Sequence, residues 1–322
     1  MSLPRVAGIA ALTLLSAAHM PAYAEYPDQP ITIVVPFPPG AGTDITARTL
    51  AMEMQPLFSQ PLIVLNKAGA GGMIASEYVK NAKPNGYTLL FGAIAPLAIA
   101  PNLQKAPSYD PLTDFTYIAS VAAVTSVIMV NTDSPYKTVN DILDEARKNP
   151  GKLTYGSFGN GSSAHVGAAQ LTNQEGVEIT HVPYRGSAPA SLALQGGEID
   201  MMFENMPSAI RNTQAGRVRP VAVTTPERSK LMPEVPTLRE SGFDFEMKAW
   251  YGMVGPAGMP EDIVQKLATA FNTTLAKPEF QEKLLAQGAE PFISTPQEFK
   301  DFVTLENERW RKVILEAGAQ VD

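Results

Sequence analysis

The stretch Ile31-Thr32-Ile33-Val34-Val35-Pro36-Phe37-Pro38-Pro39-Gly40-Ala41-Gly42-Thr43-Asp44 decides the reading of the fold. Its first five residues are β-branched and apolar, which suits a strand buried on both faces. Prolines then stiffen a turn, and glycines let another group come close to the backbone. Thr43 or Asp44 can cap the helix that follows. Over residues 43–58, Ala47, Leu50, Ala51, Met54, Leu57 and Phe58 recur at three- and four-residue spacing, so one face of that helix is apolar. Strand, glycine turn and helix in succession make half of a βαβ unit.

The same grammar repeats along the chain. Further strands are expected at 62–65, 88–91, 127–130, 153–158, 199–203, 218–224 and 250–254. Thr138 and Asp141 form a capping box for a helix closed by Asn149-Pro150-Gly151, and Pro207 and Gly216 bracket another. Ile263, Val264, Leu267, Ala270, Phe271 and Leu275 stripe a third, and Thr295 with Glu298 caps the last. Strand–helix alternation predicts an α/β protein with largely parallel sheets. No Gly/Ser linker joins the domains that 322 residues imply. The chain is therefore expected to cross between lobes on extended segments, at 121–129 and 248–252. That gives a two-segment hinge beside a ligand cleft. The expected division is lobe 1 at 25–125 and 249–322, and lobe 2 at 126–248.

Composition narrows function. Asp plus Glu (32) exceed Lys plus Arg (25), a formal charge of −7. Nucleic acid is thus excluded as a dedicated partner. With no cysteine, thiolate metal sites, disulfides and cysteine nucleophiles are excluded too. Arg5 precedes an apolar stretch from Val6 to Ala18, and Ala22-Tyr23-Ala24 follows. This reads as a secretory signal over residues 1–24, cleaved after Ala24, and the mature chain is expected to be exported.

Two more glycine turns precede helices: Gly69-Ala70-Gly71-Gly72-Met73, and Gly159-Asn160-Gly161-Ser162-Ser163-Ala164-His165. A helix start has unpaired N–H groups and the positive end of the dipole, so two such starts facing across a cleft would hold a carboxylate. Ordinary tight turns are the alternative. A dinucleotide fingerprint fails: Ile45 stands where the first loop needs a small residue, and Glu178 opens a strand instead of ending one. Ser162 or Ser163 with His165 could be a nucleophile and base of an exported hydrolase or transferase. A capping serine beside a lining or packed imidazole is the better reading. His165 and His181 lack metal-site spacing, and no metal or cofactor is expected. Glu204 and Asn205 end a strand at the crevice, although Asn205 could instead cap the next helix. Trp250-Tyr251 could line the cleft; packing is the default for such a pair.

The motif series resembles a known family. It comprises Pro36-Phe-Pro-Pro-Gly-x-Gly-x-Asp44, Asn66-Lys-Ala-Gly-Ala-Gly-Gly72, Pro84-Asn-Gly-Tyr-Thr-Leu-Leu90, Gly159-Asn-Gly-Ser-Ser-Ala-His165, His181-Val-Pro-Tyr-Arg-Gly186, Gly196-Gly-Glu-Ile-Asp200, Val235-Pro-Thr-Leu-Arg-Glu-Ser-Gly242 and Pro256-Ala-Gly-x-Pro260. In this order the set resembles the Bug-type receptors of tripartite tricarboxylate transporters, from about Tyr26 to the C-terminus. The resemblance implies a two-lobed periplasmic binding protein of type II that closes on a small carboxylate and passes it to a membrane permease or a sensor. It implies a protein that is not an enzyme, and a monomer is the expectation for a receptor that must open and close. It places ligand contacts on Phe37, Pro38, Gly40, Gly42, Thr43 and Asp44, and on Gly161, Ser162, Ser163, Ala164 and His165. Relatives are often polar where this chain has Ala93, Ile94, Ala95 and Leu97. An aromatic dicarboxylate such as terephthalate would suit that apolar wall. Glu204, where many relatives carry Asp, and Asn205 would read the rest of the ligand.

Overall fold

The computed structural model describes residues 26–316. The signal segment lies outside them. Among the described residues, no helix is long and apolar enough to cross a membrane.

Strand β1 (Ile31–Val35) feeds helix α1 (Gly42–Met54). Then come β2 (Leu62–Asn66), α2 (Met73–Lys80), β3 (Thr88–Ala93), a π-helical turn over Ala95–Ile99 and the short α3 (Ala100–Leu103). β1 lies between β2 and β3, parallel to both. Strand β4 (Phe115–Asn131) leads into α4 (Val139–Lys148), β5 (Thr154–Ser157), α5 (Ser163–Gln174), β6 (Thr180–Pro183), α6 (Ser187–Gly196), β7 (Met201–Asn205), α7 (Met206–Gln214) and β8 (Val218–Val223). Strand β9 (Lys248–Pro256) then returns, followed by α8 (Glu261–Leu275), α9 (Pro278–Ala286), β10 (Ala289–Pro291) and α10 (Pro296–Glu316).

The strand order is β2-β1-β3-β9-β4-β7-β5-β6, with β8 and β10 also on β4. β4 joins the two lobes. Its residues Phe115 to Thr125 pair with β9, whereas Ser126 onward pairs with β7 and β8. The pairing partner thus changes at Thr125/Ser126, and β9 begins opposite this point at Lys248. The flanks of both sheets are parallel, but β4 and β9 run antiparallel to their neighbours. This corrects the expectation of largely parallel sheets: a strand that leaves a lobe and one that returns to it must point in opposite directions.

The caps follow local chemistry. Thr138 accepts from the Asp141 N–H, and Asp141 accepts from Thr138 N, closing the capping box. Thr295 and Glu298 do the same for α10. The start of α1 departs from expectation. Its N-cap is Ala41 and no side chain caps it. The Asp44 carboxylate is instead drawn back into the loop, where Gly40 N (2.8 Å), Arg48 Nε (2.9 Å) and Asn66 Nδ2 (2.8 Å) donate to it.

Candidate functional site

The loops at the C-terminal ends of β1, β3, β5 and β7 converge where the lobes meet. They enclose a cavity lined from one side by Phe37, Ala41, Gly42, Thr43 and Ala93–Ala95, with Ala249 and Tyr251. Phe158, Ser163, Ser187, Glu204 and Asn205 line the other side. Its volume is ≈ 10 Å³, the room one water needs. Phe37 and Phe158 also border a second chamber of ≈ 540 Å³, so these two rings separate an inner cavity from an outer one.

The helix starts beside the inner cavity are rich in donors. Among the described residues, the N–H groups of Gly42, Thr43 and Asp44 at the α1 start, and of Ser163 and Ala164 at the α5 start, have no acceptor in the protein. These are the orphan donors of a helix end, and the dipole adds partial positive charge to each. The apolar wall of Ala93, Ile94 and Ala95 is held by the π-helical turn, a distortion frequent at functional sites.

Glu204 is the charged residue of the cavity wall and is fully buried. Ser187 Oγ donates to its Oε2, and Asn205 N donates to Oε1 at 2.8 Å. Burial pushes its carboxyl up to about 7, against these bonds and the more distant Arg211 charge. Asn205 stands at the N-cap of α7, but its side chain makes no capping bond. Its Nδ2 donates to Tyr251 Oη (3.2 Å), which also bonds the Thr43 hydroxyl and whose pKa burial raises. Three residues from distant parts of the chain thus tie one lobe to the other.

Of the residues singled out from sequence, Phe37, Gly42, Thr43, Ala93, Ser163, Glu204 and Asn205 line the inner cavity, and Pro38 lines the outer one. Gly40, Asp44, Gly161, Ser162, Ala164 and His165 are on neither wall and build the loops behind them. Ser162 Oγ accepts from His165 N, and His165 Nδ1 accepts from Gly161 N (3.2 Å). The His165 ring stacks on His181 (4.2 Å), which stacks on Tyr155 (4.8 Å) and bonds Ser157 Oγ (2.7 Å). No serine–imidazole couple of the kind a hydrolase needs is formed by Ser162 or Ser163 with His165. Burial lowers both imidazoles, His181 to about 4 with help from His165.

Gly161 also lies where the two lobes come close. A Cβ there would come 3.0 Å from the Ala100 Cβ, across the lobe boundary. Gly42 likewise faces the Asn205 Cβ and Tyr251 Oη, each at 3.3 Å. Of these neighbours, Ala100 and Asn205 belong to the opposite lobe, and Tyr251 to the lobe of Gly42.

Ser187 and Ala249 are lining residues that the sequence does not single out, and Tyr251 lines the cavity where packing is the default expectation. Trp250 and Tyr251 split their duties: the Trp250 indole donates to Glu306 and packs on Phe299 and Phe302, while Tyr251 turns to the cavity. Strand alternation alone could have shown that adjacent residues face opposite ways.

The sequence profile described as "Tripartite tricarboxylate transporter family receptor" matches residues 46–319. The chain belongs to this receptor family. The tripartite tricarboxylate transporter receptors are periplasmic solute-binding proteins, not enzymes. BugT of Bordetella pertussis is 34% identical over 298 residues, spanning 92% of this chain and 91% of that protein. A protein of R. palustris solved with adipate superposes with a TM-score of 0.88 at 34% identity, covering 91% of this chain and 99% of that one. MatC from Rhodopseudomonas palustris with bound malate gives 0.85 at 31% identity, covering 90% and 100%. The two-lobed receptor fold is common to these structures.

Proposed function

We propose that this receptor captures a small organic acid with an apolar or aromatic body, of the terephthalate kind, and delivers it to the membrane permease of a tripartite tricarboxylate transporter. The observation that carries the reading is the set of five unpaired N–H groups at the starts of α1 and α5, beside an apolar wall in an interlobe cavity. Those donors, with the hydroxyls of Thr43 and Ser163, take a carboxylate. Phe37, Phe158 and Ala93–Ala95 cover the body. Asn205 and Glu204 read the remaining polar group. Pro38, Gly40, Gly161, Ser162, His165 and the Asp44 carboxylate hold the loops in shape, while the Asp44 and Ala164 N–H groups stay among the donors.

An inner cavity the size of one water cannot admit an acid until the lobes part, so capture is an opening and closing about the β4 and β9 crossings. The lobes are taken as 25–125 with 249–322, and 126–248. The receptor works as a periplasmic monomer once the signal is cleaved after Ala24. The adipate and malate complexes of relatives support a carboxylate as ligand.

The test is thermal unfolding and calorimetry of the chain against citrate, malate, adipate, benzoate and terephthalate. A ligand at 100 times its Kd adds about 2.7 kcal/mol of stability, a rise of roughly 4 °C for a protein this size. A rise with adipate or terephthalate and none with citrate is expected. A citrate-only response would overturn the apolar-body reading, and silence toward every acid would overturn carboxylate capture.

A further inference from the structure

The outer chamber has a chemistry of its own. It is bounded by the second glycine turn, Gly69–Gly72, by Asn160, and by Tyr184, Arg185 and Gly186 after β6. Its volume of ≈ 540 Å³ is in the range of small-molecule sites. Arg185 is the one charged residue on its wall, and no acid faces it there. Most arginines of the chain are engaged: Arg48 with Asp44, Arg147 with Glu175, Arg228 with Glu240, Arg239 with Glu246. Among the described residues, the Arg185 guanidinium has no hydrogen bond or ion pair. An unpaired planar fork on an otherwise uncharged wall suits bidentate pairing with a carboxylate.

The two cavities meet at Phe37 and Phe158. A molecule seated in the inner cavity can reach the outer one only by passing these rings, which favour an apolar or aromatic segment at that point. An acidic group leaving the rings then enters the space that Arg185 faces.

We infer that the outer chamber is a second carboxylate subsite anchored by Arg185, so the ligand is an elongated dicarboxylate whose apolar middle lies between Phe37 and Phe158. This rests on the carboxylate-receptor reading above and adds the length and the second charge of the ligand. Short diacids cannot span both chambers, and monoacids of full length leave Arg185 unused.

Calorimetry on two matched pairs tests it: adipate against hexanoate, and terephthalate against benzoate, with wild type and Arg185→Gln. Each pair differs by one carboxylate. Because Arg185 is exposed, the variant should unfold at the wild-type temperature, measured alongside. The expected result is that, in at least one pair, wild type prefers the diacid by about tenfold or more. Arg185→Gln should erase that preference and leave monoacid affinity unchanged. Equal wild-type affinity within both pairs, or a diacid preference that survives in Arg185→Gln, overturns the subsite while leaving a carboxylate receptor. Binding of none of the four acids overturns the apolar-body reading of the ligand, and the subsite with it.

Discussion

At neutral pH the carboxyl of Glu204 is near its midpoint, because burial pushes it from the ordinary 4.5 up to about 7. The folded chain therefore holds this proton more tightly than the unfolded chain does. Stability attributable to Glu204 is highest below about pH 4.5 and is lost as the pH rises through about 7, on the order of 3 kcal/mol in all. The buried histidines act with opposite sign. His181, lowered to about 4, is neutral in the folded chain, so stability is lost as the pH falls from 6.5 toward 4. In wild type the two trends overlap and partly cancel. Glu204→Gln removes one of them. Urea unfolding at pH 5 and 8 should show wild type losing stability relative to Glu204→Gln as the pH rises; parallel curves would mean that Glu204 does not hold its proton. The same sign governs the ligand. An anion arriving at the α1 and α5 starts favours the uncharged acid beside it, so affinity should fall as the pH rises above about 7, by as much as tenfold per unit. Calorimetry at pH 6.5 and 8.5 should find that slope in wild type and not in Glu204→Gln.

Helix α1 shows how one element serves both folding and closure. Its first residue, Gly42, lies against Asn205 of the facing lobe and Tyr251 of its own lobe. Glycine in a helix is less favourable than alanine by about 1 kcal/mol, so alanine here should keep or slightly raise stability. The added methyl, at 3.3 Å from the Asn205 Cβ, instead requires the facing lobe to give by a few tenths of an ångström, which works against closure. Gly42→Ala should therefore bind acids about tenfold more weakly while melting no lower than wild type. A stable variant with undiminished affinity would show that closure does not need this contact. The sequence made α1 legible through its apolar stripe and β1 through its β-branched run. β4 was legible only in part. Residues 127–130 read as a strand, but the strand covers Phe115–Asn131. It is buried nearly throughout and so lacks the polar alternation that marks a strand's extent. α6 escaped because Pro189 and small residues blur its period. Of the site, the loop halves could be read because glycine, proline and serine punctuate them locally. Ser187 could not, since only the pairing of β5 with β6 and β7 brings it beside Glu204, and Tyr251 was legible only as an alternative to packing.

The whole molecule is a closed pair of lobes joined by two strands, and the absence of cysteine makes its opening directly testable. A Cβ built at Gly186 lies 3.5 Å from the Pro38 Cβ on the facing loop, within the Cβ separation of a disulfide. The double variant Pro38→Cys/Gly186→Cys should therefore form a single bond that holds the lobes shut. Gly186 has a φ of 119°, so a cysteine there adds strain of order 1–3 kcal/mol. The reduced protein should melt below wild type, and oxidation should recover stability by constraining the open and unfolded states. On the proposed function capture requires opening, because the inner cavity has room for one water. Oxidised and free of ligand, the double variant should fail to take up an acid that its own reduced form binds. Oxidised after loading, it should retain that acid through dialysis that strips the reduced form. Each protein is its own control, so lowered stability from strain does not confuse the result. If the oxidised, empty protein binds as fast and as tightly as the reduced one, the ligand reaches its site without parting the lobes. The outer chamber rather than the inner cavity would then be the seat of binding.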